Sequence, residues 1–244
     1  MDLKISHESK KCIGELKISG SKSETNRLLI LKALFSDFDI KNISNSDDSK
    51  ILEKALKSKE KIIDIHHAGT AMRFLTAYFS QLEGREVILT GSKRMQERPI
   101  KILVDSLISL GADIYYEKKN GYPPLRIKGK KIKGGSIKLP AGTSSQYVSA
   151  MLLIAPALEN GIELSLLGKT TSLPYIEMTL FLLKNFGVKI YFDGKKIIIN
   201  PNIQFKKADQ IVESDWSSAS YFYSIVALSK NAEITLSSYK SKSL

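Results

Sequence analysis

Cysteine is almost missing from this chain of 244 residues. Cys12 stands alone, which excludes an internal disulfide and a cysteine-built metal cluster. Arginine is scarce as well: six residues, against 31 lysines. No stretch approaches eighteen unbroken apolar residues, so no segment reads as a membrane span. The opening MDLKISHESKKCIGELKISG holds no apolar signal core. No linker or low-complexity tract interrupts the chain. A cytoplasmic protein without a membrane partner is the expectation.

Hydrophobic residues make up 43% of the chain, enough for one large core or two smaller ones. The net charge is +12, from 37 basic and 25 acidic residues, and such an excess invites a nucleic-acid reading. The lysines, however, are spread over the whole length, as on a solvated surface. Arginine is the better holder of phosphate and carboxylate, because its planar fork bonds both oxygens at once. Arg27, Arg73, Arg94 and Arg98 all fall in Gly/Ser/Thr-rich stretches that precede or open helices. The scarce arginines look placed and the abundant lysines look like background.

Helical and strand periods alternate throughout. Helices are expected over 23–35, 46–57, 69–82, 98–111, 144–158, 174–187 and 217–229. Strands are expected at 15–20, 38–43, 61–65, 86–90, 112–117, 125–129, 162–167, 188–193, 196–200 and 232–239. Ser21 and Glu24 have capping-box spacing. Pro99 and Gly111 frame one helix in the usual asymmetry. DGKK joins a hairpin. LISLGADIYYE at Leu107 returns as LLKNFGVKIYF at Leu182, with ALKSKEKIIDI as a weaker third copy. The fold class is therefore α/β (α+β), made of repeated βαβαββ units.

Small polar residues precede most of the helices: GSKSETNR, HHAGTAMR, GSKRMQERP, AGTSSQY, KTTSLPY and SDWSSAS. Helix N-termini carry unpaired N–H groups and partial positive charge. Any one such stretch is an ordinary cap. Six in one chain, several with an embedded Arg or Lys, point to a small molecule with more than one anionic group.

In order along the chain, these stretches resemble the 5-enolpyruvylshikimate-3-phosphate (EPSP) synthase family. GSKSETNR is similar to the family's opening Gly-Ser-Lys-Ser motif with the following Asn-Arg. HAGTAMRFLTA is similar to its Asn-Ala-Gly-Thr-Ala-Met-Arg-Pro motif, and RMQERPIKILVDSL to its Arg-Met-x-Glu-Arg-Pro-Ile stretch. GTSSQYVSAMLLIAPAL, SLPYIEMTL and VESDWSSASYF resemble three more. The resemblance implies two domains of three βαβαββ units each, with the active site between them. Residues 1–20 would be the first strands of a discontinuous domain, and 214–244 the return into it. Residues 21–213 would form the shikimate-3-phosphate-binding domain. The family is nearly twice as long, and its acid/base carboxylates lie in its second half. The chain is therefore expected to be an N-terminal portion that does not turn over alone.

The implied reaction moves the enolpyruvyl group of phosphoenolpyruvate to the 5-hydroxyl of shikimate 3-phosphate and releases phosphate. No metal or organic cofactor is implied, and the full-length protein is expected to be a monomer. By this resemblance Lys22 sits between the two substrates, where it can relay a proton. Ser23, Arg27, Ser144, Ser145, Gln146, Ser172 and Tyr175 hold shikimate 3-phosphate. Gly69, Arg98, His67 and Gln146, with Lys22, hold phosphoenolpyruvate. Two positions depart from the pattern: His67 replaces Asn and Phe74 replaces Pro. Arg73 is expected either in a structural ion pair or against substrate, and Arg94 as a structural partner of Glu97 or of a neighbouring loop. Asp215 is expected to cap the last helix and Trp216 to pack at the domain crossing.

Three other functions compete. A separate shikimate-3-phosphate-binding domain without catalysis is the first. The second is the related transferase acting on UDP-N-acetylglucosamine, which carries a loop cysteine that GSKRMQERP lacks. RNA 3′-terminal phosphate cyclases share similar units, but RNA binding asks for grouped basic residues and exposed aromatics. Here Phe35, Phe79, Phe181 and Tyr221 occupy apolar periodic positions, so no nucleic-acid partner is expected.

Overall fold

A computed structural model of the chain describes residues 6, 9–35, 38–140, 142, 144–168, 171–201, 205–206, 209–241 and 243. First come β1 (Lys11–Lys17), α1 (Lys22–Phe35), β2 (Ile40–Lys41) and α2 (Asp47–Lys57). Then follow β3 (Ile62–Asp64), α3 (Gly69–Ser80), β4 (Glu86–Thr90), α4 (Lys93–Gln96), α5 (Lys101–Ser109), β5 (Asp113–Tyr116) and β6 (Leu125–Lys128). The next group is β7 (Gly135–Pro140), α6 (Ser145–Ile154), β8 (Ile162–Leu167), α7 (Leu173–Asn185), β9 (Ile190–Phe192) and β10 (Lys196–Ile199). Last are β11 (Gln210–Ile211), α8 (Trp216–Leu228) and β12 (Asn231–Ser237).

Two four-stranded sheets repeat one design. Their orders are β3-β4-β6-β5 and β7-β8-β10-β9. In each, the first two strands are parallel and the closing hairpin is antiparallel. These are the two βαβαββ units that the Leu107 and Leu182 repeats foretold. The first unit differs. β11 pairs parallel with β2, so it takes the first-strand place ahead of α1, β2 and α2. No hairpin follows: α2 ends at Lys57 and β3 begins at Ile62, leaving only residues 58–61 between them. Such a stretch cannot form two strands and a turn. β3 instead joins the next sheet by pairing with β4. ALKSKEKIIDI is thus no third copy of the repeat, and the described part of the first unit is βαβα.

The centre is built from helices that bury nearly every face. Residues 24–31 of α1 and 145–154 of α6 are buried, apart from Gln146. Almost all of α3 is buried too. A helix surrounded by neighbours has no polar face to keep. Phe35 and Phe79 join this interior, but Phe181 and Tyr221 are exposed, against expectation. Among the described residues no layer packs over those faces of α7 and α8.

The two ends of the described chain meet. β1 lies parallel to β12 and α8 packs against β12. An antiparallel bridge joins Gly20 to Ser214 where the chain passes twice. A Cβ on Gly20 would strike the Asn42 carbonyl oxygen and lie 2.7 Å from Val212 Cγ1, so only glycine fits there. The expected capping box is half made. Glu24 N–H lies 3.5 Å from Ser21 Oγ, a weak bond. The Glu24 carboxylate turns away, accepting from Glu213 N–H at 2.9 Å and Lys240 Nζ at 2.8 Å.

Candidate anion-binding site

The first turns of six helices open into one cavity of about 510 Å³. α1 contributes Lys22 and Ser23, with Arg27 one turn deeper. The start of α2 adds Ser44, Asn45 and Ser46. Thr70 and Phe74 come from α3, Ser145 and Gln146 from α6, and Tyr175 from α7. Ser217 and Ser218 of α8 close the ring with Asp215. The wall is small, hydroxyl-rich and edged by helix N–H ends, which suits a ligand carrying several negative charges.

Arg27 lies at the bottom, only 3% exposed. Its Nε donates to Thr179 Oγ1 at 2.7 Å, and Nη1 donates to the Ser23 carbonyl at 2.8 Å. Nη2 donates to Ser149 Oγ at 2.9 Å and to the Tyr175 carbonyl at 3.0 Å. A guanidinium has five N–H donors, so one on Nη1 is left over. Every partner is neutral, and no described carboxylate pairs with the group. Desolvation, partly offset by Tyr175, pushes its pKa down to about 10. The Phe74 ring lies 5.5 Å from Arg27 Cζ, so the aromatic that replaces the family's proline supports the buried cation from one face. Lys22 Nζ is 3.8 Å from Asp48 and about half exposed, available to a ligand.

Six of the expected ligand-holding residues thus share the cavity: Lys22, Ser23, Arg27, Ser145, Gln146 and Tyr175. Ser144, Ser172, His67, Gly69 and Arg98 lie outside its wall. Ser144 caps α6, its Oγ accepting from Gln146 N–H at 3.3 Å. Ser172 precedes α7 with a left-handed φ of 55° and makes no side-chain cap bond. Strain of this kind gathers at functional sites. Of the neighbouring KTTSLPY stretch, residues 169 and 170 lie outside the described residues.

His67, Gly69 and Arg98 form a second patch at the start of α3. The Arg98 guanidinium rests directly on Gly69, since a Cβ there would sit 3.0 Å from Arg98 Cζ. His67 Nδ1 is 2.8 Å from Ser92 Oγ, the cap of α4. Gln146 Nε2 donates to Thr70 Oγ1 at 3.3 Å and so links this patch to the cavity. Arg73 makes no ion pair among the described residues. It donates instead to the carbonyls of Gly69 and Pro99, both at 3.2 Å, and so ties α3 to the segment carrying Arg98. Among the described residues Arg94 makes no ion pair, with Glu97 or with a neighbouring loop. Asp215 does cap α8, accepting from Ser218 N–H at 2.7 Å. Trp216 packs on Tyr239 at 4.4 Å between ring centroids.

Sequence reasoning overlooked the loop 44–46. Its signal was present in Ser46 with Asp47 and Asp48 behind it, a strong helix start. Among the described residues no group of three or more His, Cys, Asp or Glu gathers as metal ligands. No described helix is long and apolar enough to cross a membrane.

Residues 43–244 match the family model for EPSP synthase (3-phosphoshikimate 1-carboxyvinyltransferase). The chain belongs to the EPSP synthase family. It is 47% identical over 223 residues to the 3-phosphoshikimate 1-carboxyvinyltransferase of Bacteroides fragilis strain YCH46, covering 91% of this chain and 54% of that protein. It is 38% identical over 260 residues to the enzyme of the same name from Haemophilus influenzae strain PittEE, covering 91% and 59%. That second alignment is longer than the chain, so the Haemophilus relative has residues that this chain lacks within the matched stretch. EPSP synthase from Acinetobacter baumannii shares the fold, with a TM-score of 0.80 at 22% identity, covering 95% of this chain and 57% of that one. The chain spans about half the length of the curated relatives it matches.

Proposed function

We propose that this chain is the shikimate-3-phosphate-binding half of an enolpyruvyl transferase. The observation that carries the reading is Arg27: a buried cation with only neutral partners and one unspent N–H, at the bottom of a cavity ringed by helix starts. A buried charge without a counter-charge is costly. An anion that enters the cavity supplies the missing partner. Lys22, Ser23, Ser145, Gln146 and Tyr175 line the same wall and give the sugar phosphate its remaining contacts. Ser144 and Ser172, at the rims of α6 and α7, take the 3-phosphate. Phosphoenolpyruvate belongs at the neighbouring patch of His67, Gly69 and Arg98, reached through Gln146.

In the reaction the 5-hydroxyl bonds to the central carbon of phosphoenolpyruvate and gives up its proton. The methylene carbon gains a proton to become a methyl, and the resulting adduct expels phosphate as that methyl gives up a proton, which restores the carbon–carbon double bond. Lys22 stands at the cavity mouth, where it offsets charge on the leaving phosphate. Residues 21–213 form the ligand-holding body on this reading, and 1–20 with 214–244 begin a second one. The Gly20–Ser214 bridge and the β1–β12 pair support that division. The test is phosphate release from phosphoenolpyruvate with shikimate 3-phosphate present. The remaining half of a relative's sequence is supplied as a separate polypeptide. Release by the mixture and by neither part alone is expected. A folded, associated mixture that releases none would reject the reading.

A further inference from the structure

The side of β2 away from β11 is open. In the two complete units that place is filled: β6 lies antiparallel beside β4, and β10 beside β8. Among the described residues nothing pairs with β2 there. The opening exposes a cavity of about 640 Å³, within the usual range for small-molecule sites. Leu29 and Ala33 of α1, Ile43, Leu56 of α2 and Tyr78 of α3 form its apolar lining. It shares no lining residue with the anion cavity, and it meets the middle and end of α1 where that cavity meets the start.

Two features make this more than a bare apolar hollow. Tyr78 is 6% exposed, and its hydroxyl bonds to no described residue although it lines the cavity. Desolvation pushes the phenol above its ordinary pKa, with Arg85 acting in the opposite sense, so it stays a donor at neutral pH. Around the rim stand Lys32, Lys41 and Lys57 with Asp39 and Glu53. Lys57 is taken by Glu53 at 2.6 Å, and Lys32 lies 3.9 Å from Asp39. Lys41 has no carboxylate partner among the described residues. The balance is one unmatched positive charge beside an apolar floor with one donor that bonds to no described residue.

We propose that this cavity is a second binding site, for an aromatic monocarboxylate whose ring occupies the apolar floor against Leu29, Leu56 and Tyr78 and whose carboxylate faces Lys41. The ring replaces the side chains that a hairpin supplies in the other units. The tyrosine hydroxyl donates to a polar edge of the ligand. Binding here does not require the anion cavity to be filled.

The probe is 6-hydroxy-2-naphthoate, titrated into the chain by calorimetry, with 2-naphthol as the uncharged control. Saturable one-to-one binding is expected, unaffected by saturating shikimate 3-phosphate. Lys41→Glu weakens it by about tenfold, the scale of one charge-assisted bond. Ala33→Trp, at an exposed position on the wall, fills the cavity and abolishes binding. The inference is overturned if hydroxynaphthoate does not saturate, if Lys41→Glu leaves affinity unchanged, or if shikimate 3-phosphate displaces the probe. It is equally overturned if an acidic extended peptide binds β2 and hydroxynaphthoate does not.

Discussion

Arg27 ties helices together besides carrying the proposed anion contact. Its fork ties α1 to α6 and α7 through Ser149, Thr179 and the Tyr175 carbonyl. Thr179→Val leaves the Nε–H without an acceptor in a buried place, and should cost about 1–3 kcal/mol in urea denaturation. Tyr116 offers a different residue-scale test. Its hydroxyl is buried without a hydrogen-bond partner among the described residues, and desolvation, with Asp105 and Tyr147, pushes its pKa up to about 12. The native protein keeps this proton above pH 10, where the unfolded chain loses it. Stability from this group is present below pH 10 and falls as pH rises toward 12. Tyr116→Phe should flatten that loss in denaturation curves taken from pH 9 to 12, and leave stability at pH 7 unharmed. The sequence pointed to Arg27 through its scarcity and its setting in GSKSETNR. It gave no sign of Thr179 or Ser149, because those contacts join residues more than a hundred positions apart.

Elements with long periods were legible, and short ones were not. α3, α6 and α7 fall close to their expected spans, because apolar runs of helical length leave little choice. β7 was missed: Gly135 begins it directly after Gly134, Pro140 ends it, and only Ile137 and Leu139 mark its buried face. β11 is two residues long and exists by pairing with β2, more than 160 positions away, which no local pattern encodes. The unit count failed at the first unit for a reason visible in the chain, the short run of residues 58–61. At this scale Asp215→Ala removes the acceptor for Ser218 N–H and should cost about 1 kcal/mol of stability in α8. Helicity loss by circular dichroism, with melting of the core little changed, checks it. Gly20→Ala is expected to be far worse, since its Cβ meets backbone at the crossing.

Across the whole molecule the apolar surface is uneven. α1, α3 and α6 bury most of their residues in the core, whereas α8 buries only Ala219, and β1 is exposed nearly throughout. Leu228 is 83% exposed and Ile13 68%. Leu228→Lys should therefore change stability by no more than about 0.5 kcal/mol in urea denaturation, despite removing a leucine. Six small-polar helix starts were readable in the sequence at this scale, and the structure gathers five of those stretches, plus the start of α2, around one cavity. The remaining stretch, GSKRMQERP, carries Arg98 beside Gly69 instead. The measurement that bears most directly on this arrangement is a calorimetric titration of the chain with shikimate 3-phosphate, repeated on Lys22→Ala, a half-exposed position whose loss leaves the core intact. Saturable one-to-one binding, weakened about tenfold or more by the substitution, is the expected result. A folded chain that gives no saturable heat, or a variant that binds as tightly as the parent, would contradict the account.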